Sequence, residues 1–129
     1  MTTETLVLLL TLLLGLVHLS VGATIRVKQQ GLFPLAGPRD DLPPVGGVFG
    51  PRAERANTNF KETLPWALAL LLLVQMTGTA NTYTAMGAWI YFWSRVAYLP
   101  LYVFGVPLVR TLAWAIALGG LGLIAAQMI

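Results

Sequence analysis

Two guanidiniums, an amide and a carboxylate stand at intervals of three, four and three residues in the stretch Pro51-Arg-Ala-Glu-Arg-Ala-Asn-Thr-Asn-Phe-Lys-Glu-Thr-Leu-Pro65. On a helix turning roughly 100° per residue, Arg52, Arg55, Asn59 and Glu62 share one face, within an arc of about 80°. The stretch runs without a break into Trp66-Ala-Leu-Ala-Leu-Leu-Leu-Leu-Val74, so this polar face sits at the mouth of an apolar helix. A second set, Tyr91, Arg95, Tyr98 and Tyr102, is spaced four, three and four. It too shares a face, within about 60°.

The two faces belong together. An arginine within a membrane span is expensive in hydrocarbon and meets either a partner or a watery cavity. Arg26, Arg52, Arg55, Arg95 and Arg110 gather at one end of the expected bundle, against Glu54 and Glu62. Unpaired guanidiniums with tyrosine hydroxyls between them suit a small anion with several carboxylates. The competing reading is an ion-pair network that only ties the helices together.

Helices must carry these faces, and composition says where. The chain of 129 residues is 57% hydrophobic and only 10% charged, with a mean hydropathy of +0.74. That is an integral membrane protein, with room for one domain of four helices over residues 1–129. The net charge of +3 lies mostly in one loop and reads as orientation, not nucleic-acid binding. With no cysteine, disulfides, thiolate metal sites and a cysteine nucleophile are excluded, and a single histidine excludes a His-rich metal site. Any thiol chemistry needs a thiol brought by a substrate.

The expected spans are 6–25, 52–78, 82–99 and 108–128. The first lacks the basic leader of a signal peptide and is long for one. Its Gly15, Ser20 and Gly22 offer close approach to a neighbour, and His18 among them reads as bonded to an adjacent helix rather than as a ligand. From Gly31 to Pro51 glycine and proline dominate, predicting a non-helical connector, with Asp40-Asp41 in a solvated turn. Pro65 is expected to bend the second span. Pro100 is expected to break or kink the third just before Tyr102. The uncharged Thr77-Gly-Thr-Ala-Asn81 predicts a tight antiparallel pair. Gly119-Gly120 and Gly122 suit close packing of the fourth span. Six basic residues lie in or beside the first connection and none in the second, so the first and third loops should be cytoplasmic.

Arg52-x-x-Arg55-Ala56-x-x-Asn59-x-x-Glu62-x-x-Pro65 resembles the signature opening the second transmembrane helix of the MAPEG family, the membrane-associated proteins in eicosanoid and glutathione metabolism. Tyr91-x-x-x-Arg95-x-x-Tyr98-x-x-x-Tyr102 is similar to the third-helix pattern of its glutathione-using members. The resemblance implies a compact bacterial-type member: four transmembrane helices per chain, a homotrimer, in a bacterial inner membrane. It implies glutathione as co-substrate, with no metal, bound between subunits. Arg52, Arg55, Asn59, Glu62, Arg95, Tyr98 and Tyr102 would line the glutathione site, with Arg110 and a neighbour's Arg26 as the catalytic arginines. Thr58 stands where some prostaglandin-synthase-like members carry a second arginine. The thiol-activating arginine of leukotriene-synthase-like members aligns with Val109, one residue before Arg110.

The function so implied is a glutathione transferase or peroxidase acting on lipophilic small molecules among the membrane lipids. Trp89, Phe92, Trp93 and Leu99 would offer bulk at the cleft between subunits. The alternative within the family is a non-catalytic lipid-binding or scaffolding protein. A channel or transporter is disfavoured because no span is interrupted at mid-depth.

Overall fold

The computed structural model describes residues 1–40 and 42–129; Asp41, and with it half of the expected Asp40-Asp41 turn, lies outside the described residues. Among the described residues five helices follow in order: α1 (Thr3–Gln30), α2 (Leu32–Ala36), α3 (Phe49–Thr77), α4 (Thr82–Val103) and α5 (Pro107–Ala126). The four long ones pack as a bundle, α4 most closely on α5 and α1 on α3. Two of them, α1 and α5, are long and apolar enough to cross a membrane by length and composition. The polar first half of α3 holds its apolar stretch to the segment after Leu64, and tyrosine and arginine dilute α4.

Helix α1 is inverted relative to a helix of a soluble bundle. The buried residues of α1 are Glu4, Val7, Thr11 and His18, whereas Leu9, Leu12, Leu13, Leu16 and Leu19 are exposed. Polar groups inside and leucines outside suit hydrocarbon surroundings. At the N-terminal end of α4, Thr84 bonds the buried Glu4 carboxylate. Asn81 caps the same helix, its Oδ1 accepting from the Tyr83 and Thr84 backbone N–H groups.

Helices α3 and α4 run antiparallel and are joined by a ladder of polar rungs. An Arg52 Nη1–H donates to the Val103 carbonyl at 3.2 Å, and Arg55 Nε–H donates to the Tyr102 hydroxyl at 3.2 Å. Arg95 Nη1–H donates to Asn59 Oδ1 at 2.9 Å, and the Thr63 and Tyr91 hydroxyls share a bond of 3.0 Å. The two helical faces inferred from spacing are therefore turned toward each other.

Several local expectations are corrected. Helix α4 does not break at Pro100 but runs on to Val103, because a proline removes one backbone donor while the next turn still closes, with Phe104 N–H on the Pro100 carbonyl at 3.0 Å. Tyr102 thus keeps the face of Arg95 and Tyr98. The connector contains the short α2, and α3 begins at Phe49, three residues before Arg52. Gln29 and Gln30 fasten this connector by bonding the backbone of Gly46 and Pro43. Gly120 makes a close contact as expected, but a Cβ on Gly119, Gly122 or Gly22 would meet nothing within 4 Å. His18 is buried without any hydrogen-bond partner for either ring nitrogen. It stacks instead on Phe60, ring centroids 4.6 Å apart, so aromatic contact replaces the expected bond between helices.

Candidate functional site

A cleft of about 440 Å³ opens where α3, α4 and α5 diverge. Its α3 wall is Arg55, Thr58, Asn59 and Glu62, its α4 wall Tyr98 and Tyr102, and its α5 wall Arg110, Thr111 and Trp114. The volume falls within the range of small-molecule pockets, roughly 300–1,000 Å³.

Tyr102 is the plate on which the cleft is built. The Arg110 guanidinium lies over its ring, Cζ 4.4 Å from the centroid, while Arg55 bonds its hydroxyl. Tyr98 packs beside it, ring centroids 5.6 Å apart. These contacts hold the guanidiniums by their flat faces and by one N–H, leaving their remaining donors free. Among the described residues, neither Arg55, Arg110 nor Glu62 takes part in an ion pair. Charges of both signs thus share one cleft without neutralising each other.

Six residues expected at the site come together here: Arg55, Asn59, Glu62, Tyr98, Tyr102 and Arg110. Three do not. Arg95 is fully buried and stands behind Asn59, since helical periodicity sets a side chain's face but not its depth. Arg52 lies against Gly105, whose backbone φ is +72°, and closes the end of α4 through the Val103 carbonyl. It satisfies one of the carbonyls that every helix C-terminus leaves open. Arg26, at the far side of α3, pairs with Glu54 and borders a second cleft of about 700 Å³ together with Arg39 and Lys61. Thr58 touches both clefts.

Thr111 and Trp114 were not anticipated as lining residues. Trp114 follows Arg110 by four residues, so the i, i+4 rule that grouped the other residues also points to it. Trp89, Phe92, Trp93 and Leu99, whose bulk is expected at a cleft between subunits, do not line this cleft within the chain. Trp89, Phe92 and Trp93 form an aromatic cluster of their own on α4.

The model of the MAPEG family matches residues 5–129, essentially the whole chain. No curated protein and no solved structure matches it.

Proposed function

The chain belongs to the MAPEG family, and from that premise we propose that it is a glutathione-dependent transferase or peroxidase acting on small hydrophobic electrophiles in the membrane. The observation that carries this reading is the unpaired set Arg55, Arg110 and Glu62 around one cleft. Glutathione has two carboxylates, one ammonium and a thiol. Arginine donors clamp a carboxylate, and Glu62 accepts from the ammonium of the γ-glutamyl end. Arg110, over the Tyr102 ring, favours the thiolate over the thiol by its charge.

The chemistry then needs little else from the chain. The thiol proton leaves to water, and the sulfur electron pair forms a bond to the electrophilic carbon as the leaving group departs with its own pair. With a hydroperoxide, the sulfur electron pair bonds the terminal oxygen as the O–O bond breaks, and the alkoxide leaves and takes a proton to become the alcohol. A second glutathione thiol then displaces the sulfenic hydroxyl to give the disulfide and water. Trp114 and Tyr98 give the cleft apolar walls on which the electrophile can rest.

The same reading takes α1, α3, α4 and α5 as four spans, with the first and third connections cytoplasmic. It also takes the assembly as a homotrimer in which Arg26 reaches a neighbour's cleft. The leucine faces of α1 leave room for such contacts. Purified protein in detergent should conjugate a generic aryl halide only when glutathione is present. Absence of both conjugation and glutathione binding would favour the non-catalytic, lipid-binding alternative.

A further inference from the structure

Arg95 is the largest fully buried side chain in the protein, and it forms no ion pair among the described residues. Its charge rests between two rings: Cζ lies 4.4 Å from the centroid of Tyr98 and 5.5 Å from that of Phe60. Phe60 is backed in turn by His18 at 4.6 Å. Arg95 Nη1 donates to Asn59 Oδ1 at 2.9 Å, while among the described residues its Nε and Nη2 are buried without a partner, so the Asn59 oxygen is the acceptor that holds it. A guanidinium has donors only, so the amide atom facing it is necessarily the oxygen. The amide nitrogen of Asn59 therefore turns away from Arg95. Among the described residues that nitrogen has no hydrogen-bond partner and is not one of the buried unpartnered atoms, and Asn59 lines the cleft.

We propose that Arg95 is a positioning residue: it locks the Asn59 amide so that the cleft presents two N–H donors there. The position then selects a carboxylate or carbonyl oxygen of the ligand and rejects an amine or ammonium. Three residues along the same face, Glu62 offers only acceptors. Adjacent turns of α3 thus read opposite ends of a zwitterion and fix the direction in which it lies. This inference rests on the reading of the cleft as a glutathione site, and it assigns to Arg95 a role different from direct ligand contact.

A double-mutant cycle on glutathione binding to the detergent-purified full chain tests it. Arg95→Met and Asn59→Ala should each lower affinity by roughly tenfold, as a lost buried polar contact does. The double variant should bind no worse than Asn59→Ala alone, to within about twofold. Losses that multiply would show Arg95 touching the ligand itself and overturn the proposal. Asn59→Asp provides a second arm, because an aspartate can pair with Arg95 and keep the fold. It should leave thermal melting intact yet abolish glutathione binding, since the donor has become an acceptor. Retained binding by Asn59→Asp would also overturn the proposal. Failure of the wild-type protein to bind glutathione would remove the cleft reading and this inference together. Wild-type binding with a multiplicative cycle would remove only the inference.

Discussion

Towards its N-terminus α4 lies against α5 backbone to backbone, glycine on glycine. A Cβ on Gly87 would stand 2.6 Å from the Gly120 carbonyl oxygen, and one on Gly120 would stand 2.7 Å from that of Gly87. Towards its C-terminus the same helix meets its neighbours through guanidiniums and tyrosine rings, which hold α3, α4 and α5 apart around the cleft. Small residues let helices close without needing a hydrophobic driving force, which lipid does not supply. Large polar ones open space and fill only part of it. The difference assigns anchoring to one end of α4 and ligand chemistry to the other.

Substitutions at the anchored end should have the largest effect on the fold. Gly87→Leu forces bulk into a backbone contact and should prevent recovery of folded protein from detergent. Gly87→Ala should destabilise by about 1–3 kcal/mol, the usual penalty for overpacking. Gly119→Ala is the matched control, because its Cβ meets nothing within 4 Å, and its melting temperature should be unchanged. If Gly87→Ala and Gly119→Ala melt alike, the glycine contact is not the anchor.

At the open end the effect should move from stability to binding. Arg55→Ala is expected to lose roughly 1.5–3 kcal/mol of glutathione affinity, about ten- to a hundredfold, with little change in melting. Loss of the assembly with affinity unchanged would make Arg55 structural. Arg110→Ala should separate the steps further: turnover falls by about tenfold or more while binding stays near wild type, because its contact strengthens as charge develops on sulfur. Steady-state kinetics with aryl halide, paired with equilibrium binding, checks this. An Arg110→Ala variant with full turnover would move thiol activation to another residue.

The smallest effect is expected between the two regions. His18 is buried with both nitrogens unpartnered, so His18→Leu removes an unmet polar cost and should be neutral or stabilising by about 1 kcal/mol. Thermal melting reads it. A large loss of stability would show that the stacking of His18 on Phe60 outweighs the unmet bonds.

That α3 and α4 turn these faces toward each other was legible in the sequence because period and spacing determine which residues share a face; the individual rungs, Thr63 and Val103 among them, were not. Arg52, Arg55, Asn59 and Thr63 meet Val103, Tyr102, Arg95 and Tyr91 in descending order, as two facing antiparallel helices require. Depth was not legible. Arg95 and Tyr98 have the same spacing signal, yet one is sealed behind Asn59 and the other lines the cleft. Nor do Gly119 and Gly120 differ in type; only the 100° between successive residues turns one inward. The break expected at Pro100 does not occur because the missing N–H weakens one turn, while packing of α4 against α5 carries the helix through it. Trp114 needed only the step of four from Arg110 to be found.

The central claim is that the open end of the bundle binds glutathione and charges its sulfur. Ultraviolet difference absorption of the thiolate, on mixing glutathione with the detergent-purified protein, tests it most directly. The account predicts a saturable thiolate signal with the wild type, lost when Arg55→Ala removes binding. With Arg110→Ala, binding should remain and the signal should be weakened. No thiolate signal with the wild type at concentrations where glutathione is bound, or no binding at all, would contradict it.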